Sequence, residues 1–280
     1  MVIIQIEGGL GNQMFQYALY LSFIDRGVTA KLDISKFKNE FAHNGYELEK
    51  VFNLNASYCS VAEKPILKAL SKILHVLTKH PYKEKEHWQW VYHQEVATIK
   101  LGFLKGYWQS EKYFLNISSK IREKFNFPSP QGDKNKEALI KITTHNSVSV
   151  HIRRGDYLTN SNPCFINIEY YFQAILIMNK KVDNPYYFVF SDDIKWAREN
   201  IKESQIEFVD WNTQKNSFID MQLMSRCKHN IIANSSFSWW GAWLNSNPYK
   251  IVIAPQQWMP HLEKSGDIVP KDWLQLPSGF

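Results

Sequence analysis

His151-Ile152-Arg153-Arg154-Gly155-Asp156 concentrates an imidazole, two guanidiniums and a carboxylate in six residues. An arginine presents a planar fork that matches phosphate or carboxylate oxygens, and two in a row are costly to leave unpaired at the end of a buried strand. On an extended segment neighbouring side chains point in opposite directions. One arginine could therefore face an anionic ligand while the other anchors the loop, for instance through Asp156; a surface ion pair is the other reading. A second polar cluster is Asn234-Ser235-Ser236, directly before Phe237-Ser238-Trp239-Trp240-Gly241. Serines that open a helix gather hydroxyls and unpaired backbone amides at one point, which suits an anion, although simple helix capping needs the same residues. Ser191-Asp192-Asp193 offers adjacent carboxylates, for a metal or for a cap on the helix expected from Ile194; capping is favoured, and the spacing is not Asp-x-Asp. Gly8-Gly9-Leu10-Gly11-Asn12-Gln13 brings backbone close to something but has neither the Gly-x-Gly-x-x-Gly spacing nor a Walker lysine. Among ten tryptophans, Trp88, Trp90 and Trp108, with Tyr107, could stack on sugar C–H groups. Trp239, Trp240 and Trp243 have helical spacing and read as core.

Positioning these groups requires strands that end just before them. Val2–Ile6 reads as a short buried strand, followed by a helix over about Met14–Asp25 that Gly27 stops, and by a strand at Ala30–Ile34. Apolar runs at Ser147–Ile152, Tyr186–Phe190, Ile206–Val209, Asn230–Ala233 and Lys250–Ala254 alternate with helical segments near Glu169–Asn179, Asp193–Ile201, Asn216–Cys227 and Phe237–Leu244. That alternation predicts a parallel sheet covered by helices. Phe127-Pro128-Ser129-Pro130-Gln131-Gly132 carries turn chemistry. The division expected is an N-terminal half over 1–130, a linker region over 131–146 and a C-terminal half over 147–280. Ile66, Leu70, Ile73, Leu74 and Leu77 form one helical stripe beside Lys68, Lys72 and Lys79. It fits a core-packed helix with a solvated lysine face, or a helix on a membrane surface.

The 280 residues suffice for one large domain or two ordinary ones. With 44% hydrophobic and 21% charged residues the chain is globular rather than disordered. A net charge of +6 is compatible with a phosphate-bearing ligand or an anionic membrane, and dictates neither. Three scattered cysteines and no CxxC argue against a zinc knuckle or redox pair and for a reducing compartment. The N-terminus lacks the basic region of a signal peptide and no stretch spans a bilayer, so the expected location is the cytoplasm, with peripheral contact with an anionic membrane left open. No nucleic-acid-binding motif is present.

Taken together and in order, four segments resemble the α-1,2-fucosyltransferase family of bacterial surface-polysaccharide synthesis. They are Gly8-Gly9-Leu10-Gly11-Asn12-Gln13-Met14-Phe15-Gln16-Tyr17-Ala18, Gly106-Tyr107-Trp108-Gln109-Ser110-Glu111-Lys112-Tyr113-Phe114, His151 to Tyr157, and Asn234 to Leu244. The resemblance implies an α/β GT-B fold, two Rossmann-like halves facing each other across a cleft, with the acceptor in the N-terminal half and GDP-L-fucose in the C-terminal half. It implies inverting transfer of fucose to the 2-hydroxyl of a terminal galactose on an oligosaccharide or lipid-linked glycan, with no cofactor and no metal. By analogy with α-1,6 relatives, Arg153 holds the β-phosphate, His151 lines the guanine site, and Asp220, sixteen residues before Ser236, reads guanine. Arg154, Ser235, Ser236, Gly9, Asn12 and Gln13 complete the expected donor set; Trp108 and Gln109 are expected at the acceptor. Those relatives carry a glutamate beyond the arginines, whereas Thr159-Asn160-Ser161-Asn162 has none. Asp156 is the leading candidate base, Glu7 a substitute. Another GDP-sugar or linkage, and a non-catalytic nucleotide-sugar-binding module, are the competing readings.

Overall fold

A computed structural model describes residues 1–38, 44–78, 90–155, 158, 164–262 and 265–280. They divide into two compact units, Met1–Pro128 with Gly266–Ile268, and Ser129–Ser265 with Val269–Phe280. The first contains β1 (Val2–Gln5), α1 (Leu10–Asp25), β2 (Ala30–Asp33), α2 (Leu48–Phe52), α3 (Glu63–Thr78), α4 (Gln94–Thr98), β3 (Gly102–Leu104) and α5 (Ser118–Lys124). Its parallel sheet has the order β2-β1-β3, with Val2 opposite both Ala30 and Gly102. β1 is buried throughout, as a central strand covered on both faces requires. α1 is buried on almost every side, in keeping with its all-round apolar sequence. It stops where Gly27 turns left-handed at φ +74°, a conformation glycine adopts without strain.

One strand was not foreseen and one expectation for this unit changes. β3 is only three residues long, too short for a period-2 pattern. The packed side of α3 is centred on Leu67 and Ser71; of the expected stripe Ile66, Leu70, Ile73, Leu74 and Leu77, Leu70 packs against that side and Leu74 is half-buried. Leu67 packs with Ile3 and Phe103, and Ser71 Oγ accepts the Phe103 N–H at 2.6 Å. Ile66, Ile73, Val76 and Leu77 stand exposed; Lys79 lies outside the described residues. No helix among the described residues is long and apolar enough to cross a membrane.

The second unit runs α6 (Asp133–Thr144), β4 (Asn146–Ile152), α7 (Ile168–Lys181), β5 (Pro185–Ser191), α8 (Ile194–Asn200), β6 (Ile206–Val209), α9 (Phe218–Arg226), β7 (His229–Ile231), α10 (Ser236–Leu244), β8 (Val252–Pro255) and β9 (Leu274–Leu276). The stretch 131–146, expected to be a linker, is instead mostly α6, and Asn146 already belongs to β4. The turn residues before Asp133 mark the helix start, and Ala138 and Ile142 bury its inner face against Phe188, Leu223 and Met224.

All paired strands of this sheet are parallel, in the order β6-β5-β4-β7-β8-β9. Counted from the unit's first strand the order is 3-2-1-4-5-6, and it reverses between β4 and β7. Sheets of this kind bind ligands outside their carboxyl ends at that reversal. The pleat sorts side chains between two cores. Val148, Val150, Ile152, Tyr187 and Val189 pack beneath α7 and α8, and Phe188 and Phe190 pack beneath α6 and α9.

Candidate functional site

The carboxyl end of β4 carries the first cluster. Ile152 faces the core beneath α7, so the alternation turns His151 to the opposite face, where its ring centroid lies 5.8 Å from that of Phe237. His151 is 6% exposed. Burial, and then the charge of Arg153, lower its pKa to about 3, so the imidazole is neutral near pH 7. Among the described residues its Nδ1 has no hydrogen-bond partner. A buried, unpartnered ring nitrogen is suited to meet a ligand.

Beyond the strand, the β4–β5 register sets Ile152 opposite Ser191, which brings the next residues, Arg153 and Asp192, together. Arg153 Nη1 lies 3.1 Å from Asp192 Oδ2, and the Arg154 backbone N–H donates to Asp192 Oδ1 at 2.8 Å. Gly155 makes room for that carboxylate: a Cβ there would lie 3.0 Å from Asp192 Oδ2. Arg154 is held differently. Its guanidinium sits 3.9 Å from the Trp196 ring centroid and 5.0 Å from that of Phe165, with Nε 3.6 Å from Asp193 Oδ2. Asp193 also caps α8 by accepting the Trp196 N–H at 3.2 Å. Asp156, the anchor expected for Arg154, lies outside the described residues; among the described ones Asp193 and the two rings hold Arg154. Arg154, expected at the donor, is thereby a brace of the β4–α8 corner.

Beyond the neighbouring strand β7, Ser235 is the N-cap of α10, accepting the Phe237 N–H at 3.3 Å while its own N–H donates to Ala233 O at 2.8 Å. Ser236, the first residue of the helix, is partly exposed. Asn234 secures the approach by donating to Cys164 O at 2.8 Å and Trp258 O at 2.9 Å. Ser235 is thus a cap, and the start of α10 stands at the reversal beside β4.

Asp220 lies in the first turn of α9, and its Oδ1 accepts from Asn212 Nδ2 at 2.8 Å. Desolvation outweighs that bond and pushes the carboxyl up to about 8. His151, Arg153, Ser235, Ser236 and Asp220 therefore belong to one unit and follow from its strand ends and the helix α9. Asn212 has no counterpart among the residues expected from sequence, and Asp192, read there as a cap or metal carboxylate, instead holds Arg153 and the Arg154 N–H. The pairing of Asp192 with Arg153 was legible only once β5 was known to lie beside β4.

The remaining expected residues lie in the first unit. The glycine that demands its type is Gly8, at φ +80°, where a Cβ would lie 2.7 Å from Asn12 Nδ2; Gly9 is the ordinary N-cap of α1. Asn12 Oδ1 accepts from Gln109 Nε2 at 2.7 Å, which joins the first motif to the middle segment. Two expectations are corrected. Gln13, expected at the donor, is wholly buried: Nε2 donates to Gly8 O at 2.9 Å and Gly45 O at 2.8 Å, and Oε1 accepts the Glu47 N–H at 2.9 Å. Trp108, expected to meet a sugar, is 1% exposed at φ +54° and packs edge-on against Tyr113. Neither side chain has a surface to offer a ligand. Glu7 Oε2 pairs with Lys36 Nζ at 2.8 Å. Trp90 is buried, and Trp88 lies outside the described residues.

Residues 1–276 match glycosyl transferase family 11. The chain is 36% identical to an alpha-1,2-colitosyltransferase of Escherichia coli over 98% of either chain. It is 31% identical to the O-antigen biosynthesis glycosyltransferase WbnK of Escherichia coli, over 97% of this chain and 99% of that one. Identity to the human galactoside alpha-(1,2)-fucosyltransferase 1 is 26%, covering 85% of this chain and 64% of the human one. Among solved structures, the fucosyltransferase NodZ from Bradyrhizobium shares the fold, with a TM-score of 0.50 and 12% identity over 86% of this chain and 90% of that one.

Proposed function

Because this chain belongs to glycosyl transferase family 11, the family of α-1,2-fucosyltransferases, we propose that it moves L-fucose from GDP-L-fucose to the 2-hydroxyl of a terminal galactose. The observation that carries the proposal is the placement of His151 at the carboxyl end of β4, of Arg153 just beyond it, and of Ser235 and Ser236 beyond β7, the two strands that flank the sheet reversal. The fold we assign is GT-B, with the second unit binding the donor and the first the acceptor, in a pathway of surface-polysaccharide assembly.

In this reading the acceptor hydroxyl attacks fucose C1 as GDP departs from the opposite face, inverting the anomeric centre. Negative charge grows on the β-phosphate. Arg153 meets it with a fixed guanidinium, and the first amides of α10 add the partial positive charge of a helix start. The transfer then runs without a metal ion, since these groups supply the countercharge. Neutral His151 lines the base through its open nitrogen. Asp220, as carboxylate, accepts from guanine N1–H and the 2-amino group, a pair of donors adenine lacks. Asp156 is the candidate base for the acceptor hydroxyl.

A second reading is favoured by the 36% identity to a colitosyltransferase. L-Colitose is L-fucose without its 3-hydroxyl, so a donor site of the same build could take either sugar. The deciding experiment supplies GDP-L-fucose and GDP-L-colitose separately with a panel of β-galactosides, followed by linkage analysis. A fucosyl-α-1,2-galactoside supports the first reading. Turnover of the colitose donor alone supports the second, and nucleotide binding with neither transfer nor hydrolysis would leave a binding module.

A further inference from the structure

Two asparagines 77 residues apart form a closed amide pair beside Asp220. Asn135 Nδ2 donates to Asn212 Oδ1 at 2.9 Å, and Asn212 Nδ2 donates back to Asn135 Oδ1 at 2.8 Å. The pair is locked from outside: Asn135 also donates to Gln131 O at 2.8 Å and accepts from Trp211 Nε1 at 2.7 Å. Asn135, only 5% exposed, thus uses its whole amide, two donors and two acceptor positions. Reciprocal bonding fixes the plane and the O/N orientation of Asn212. Its nitrogen must then point along the direction that also reaches Asp220 Oδ1, at 2.8 Å.

The network borders open space. A cavity of about 360 Å³ is lined by Asn135, Trp211, Asn212, Phe218 and Ile219, at the starts of α6 and α9. Both helix starts stand at the carboxyl edge of the sheet, because each helix runs back antiparallel to the strand that follows it. A purely structural amide pair would serve as well anywhere in the core. This one is spent on holding a single oxygen of a carboxylate at the ligand edge.

We propose that Asn212, held by Asn135, is a positioning residue for base selectivity: it occupies Asp220 Oδ1 and turns the rest of the carboxylate toward the donors of a 2-amino-6-oxopurine. The proposal rests on the reading of Asp220 as the base-reading group. Hydrogen bonds to a charged group are strong and directional, so releasing this one lets the carboxylate rotate away from a two-point contact. Selectivity between bases with and without the 2-amino group suffers before the fold does.

Calorimetric titration of the full chain with GDP, IDP and ADP tests this without an acceptor. Asn212→Ala is expected to reduce the GDP-over-IDP preference roughly tenfold, with the thermal midpoint recording that the protein is folded. Should Asn212→Ala not fold, Asn135→Asp is the second variant. It keeps the acceptor for Trp211 and removes the donor that orients Asn212, with a smaller loss of the same preference expected. Asp220→Asn is the reference. If it abolishes the preference while folded Asn212→Ala or Asn135→Asp retains it, the positioning role is overturned and the reading of Asp220 stands. If Asp220→Asn itself leaves the preference intact, both fall.

Discussion

Arg153 and Asp192 face each other at 3.1 Å across the ends of two parallel strands, and the same carboxylate accepts the Arg154 N–H. The pair follows from the register that sets Ile152 against Ser191. It holds the guanidinium in place before any phosphate arrives, which is the preorganisation that electrostatic catalysis requires. Both side chains remain partly open to solvent, 29% and 24% exposed, so the pair is screened and an incoming phosphate can compete for the arginine. Arg153→Ala is expected to lower kcat by about 10²–10³-fold, the scale of losing one transition-state donor. Asp192→Asn keeps the shape but weakens the hold, and an intermediate loss of roughly tenfold is expected. Steady-state kinetics on both variants checks the order; an Asp192→Asn enzyme as impaired as Arg153→Ala would contradict it.

Asp220 makes donor binding pH-dependent in a defined direction. Its carboxyl, pushed up to about 8 by desolvation, is mostly protonated at neutral pH, whereas the proposed contact with guanine needs the ionised form. GDP should therefore bind several-fold more tightly as pH rises from about 7 to about 8.5, a range in which the terminal phosphate is already ionised. The sign for folding is opposite. A carboxyl raised in the folded state contributes stability that is full below its unfolded pKa and lost as pH climbs through about 8. Calorimetric GDP titrations across this range should show the trend in the wild type and a flat, weak response in Asp220→Asn. Equal slopes in the two proteins would remove Asp220 from base recognition.

His151 sets a limit on the acid side. Its folded pKa of about 3 lies below the ordinary value of 6.5, so the unfolded chain takes up the proton first. The stability it contributes is present above about pH 6.5 and is lost as pH falls toward 3, by up to about 1.4 kcal/mol per pH unit. Burial also lowers His229, but that residue contributes equally to both proteins in a comparison. Urea unfolding from about pH 7 to about pH 5, where most carboxylates stay ionised, should show a shallower loss in His151→Gln than in the wild type.

The legible parts of this chain are those whose signal is local. β5 announces itself because Tyr187 and Val189 pack on one face and Phe188 and Phe190 on the other, so the whole run is apolar. The end of β4 and the serines of α10 were legible because charged or hydroxyl side chains follow directly on buried strands. What failed depends on distance in the fold. β9 is a three-residue edge strand with two exposed positions, too short and too polar for a period-2 pattern. Gly266–Ile268 joins the first unit through contacts such as Asp267 with Tyr92 and Lys112, which no sequence window contains. Gln13 and Trp108 carry the residue types of binding groups, and only their burial shows that one ties three backbone groups and the other fills a core. Asn135 and Asn212 gave no signal at all, since an amide pair has no sequence pattern.

Arg154 separates structure from chemistry within the double-arginine motif. Stacked between Trp196 and Phe165 and 3.9 Å from the nearer centroid, it is stabilised by its flat, weakly hydrated guanidinium as much as by its charge. Lysine keeps the charge and loses the plane. Arg154→Lys should therefore destabilise the protein by about 1–2 kcal/mol, the scale of a partly desolvated cation–π contact plus its packing. Below the unfolding transition the enzyme should retain most of its affinity for GDP. The opposite balance belongs to Arg153, whose Lys variant should stay near wild-type stability while losing turnover. Chemical denaturation on both variants, with GDP titration for Arg154→Lys and steady-state kinetics for Arg153→Lys, checks the two halves of this comparison. A stable Arg154→Lys protein that no longer binds GDP would move Arg154 from the brace to the ligand.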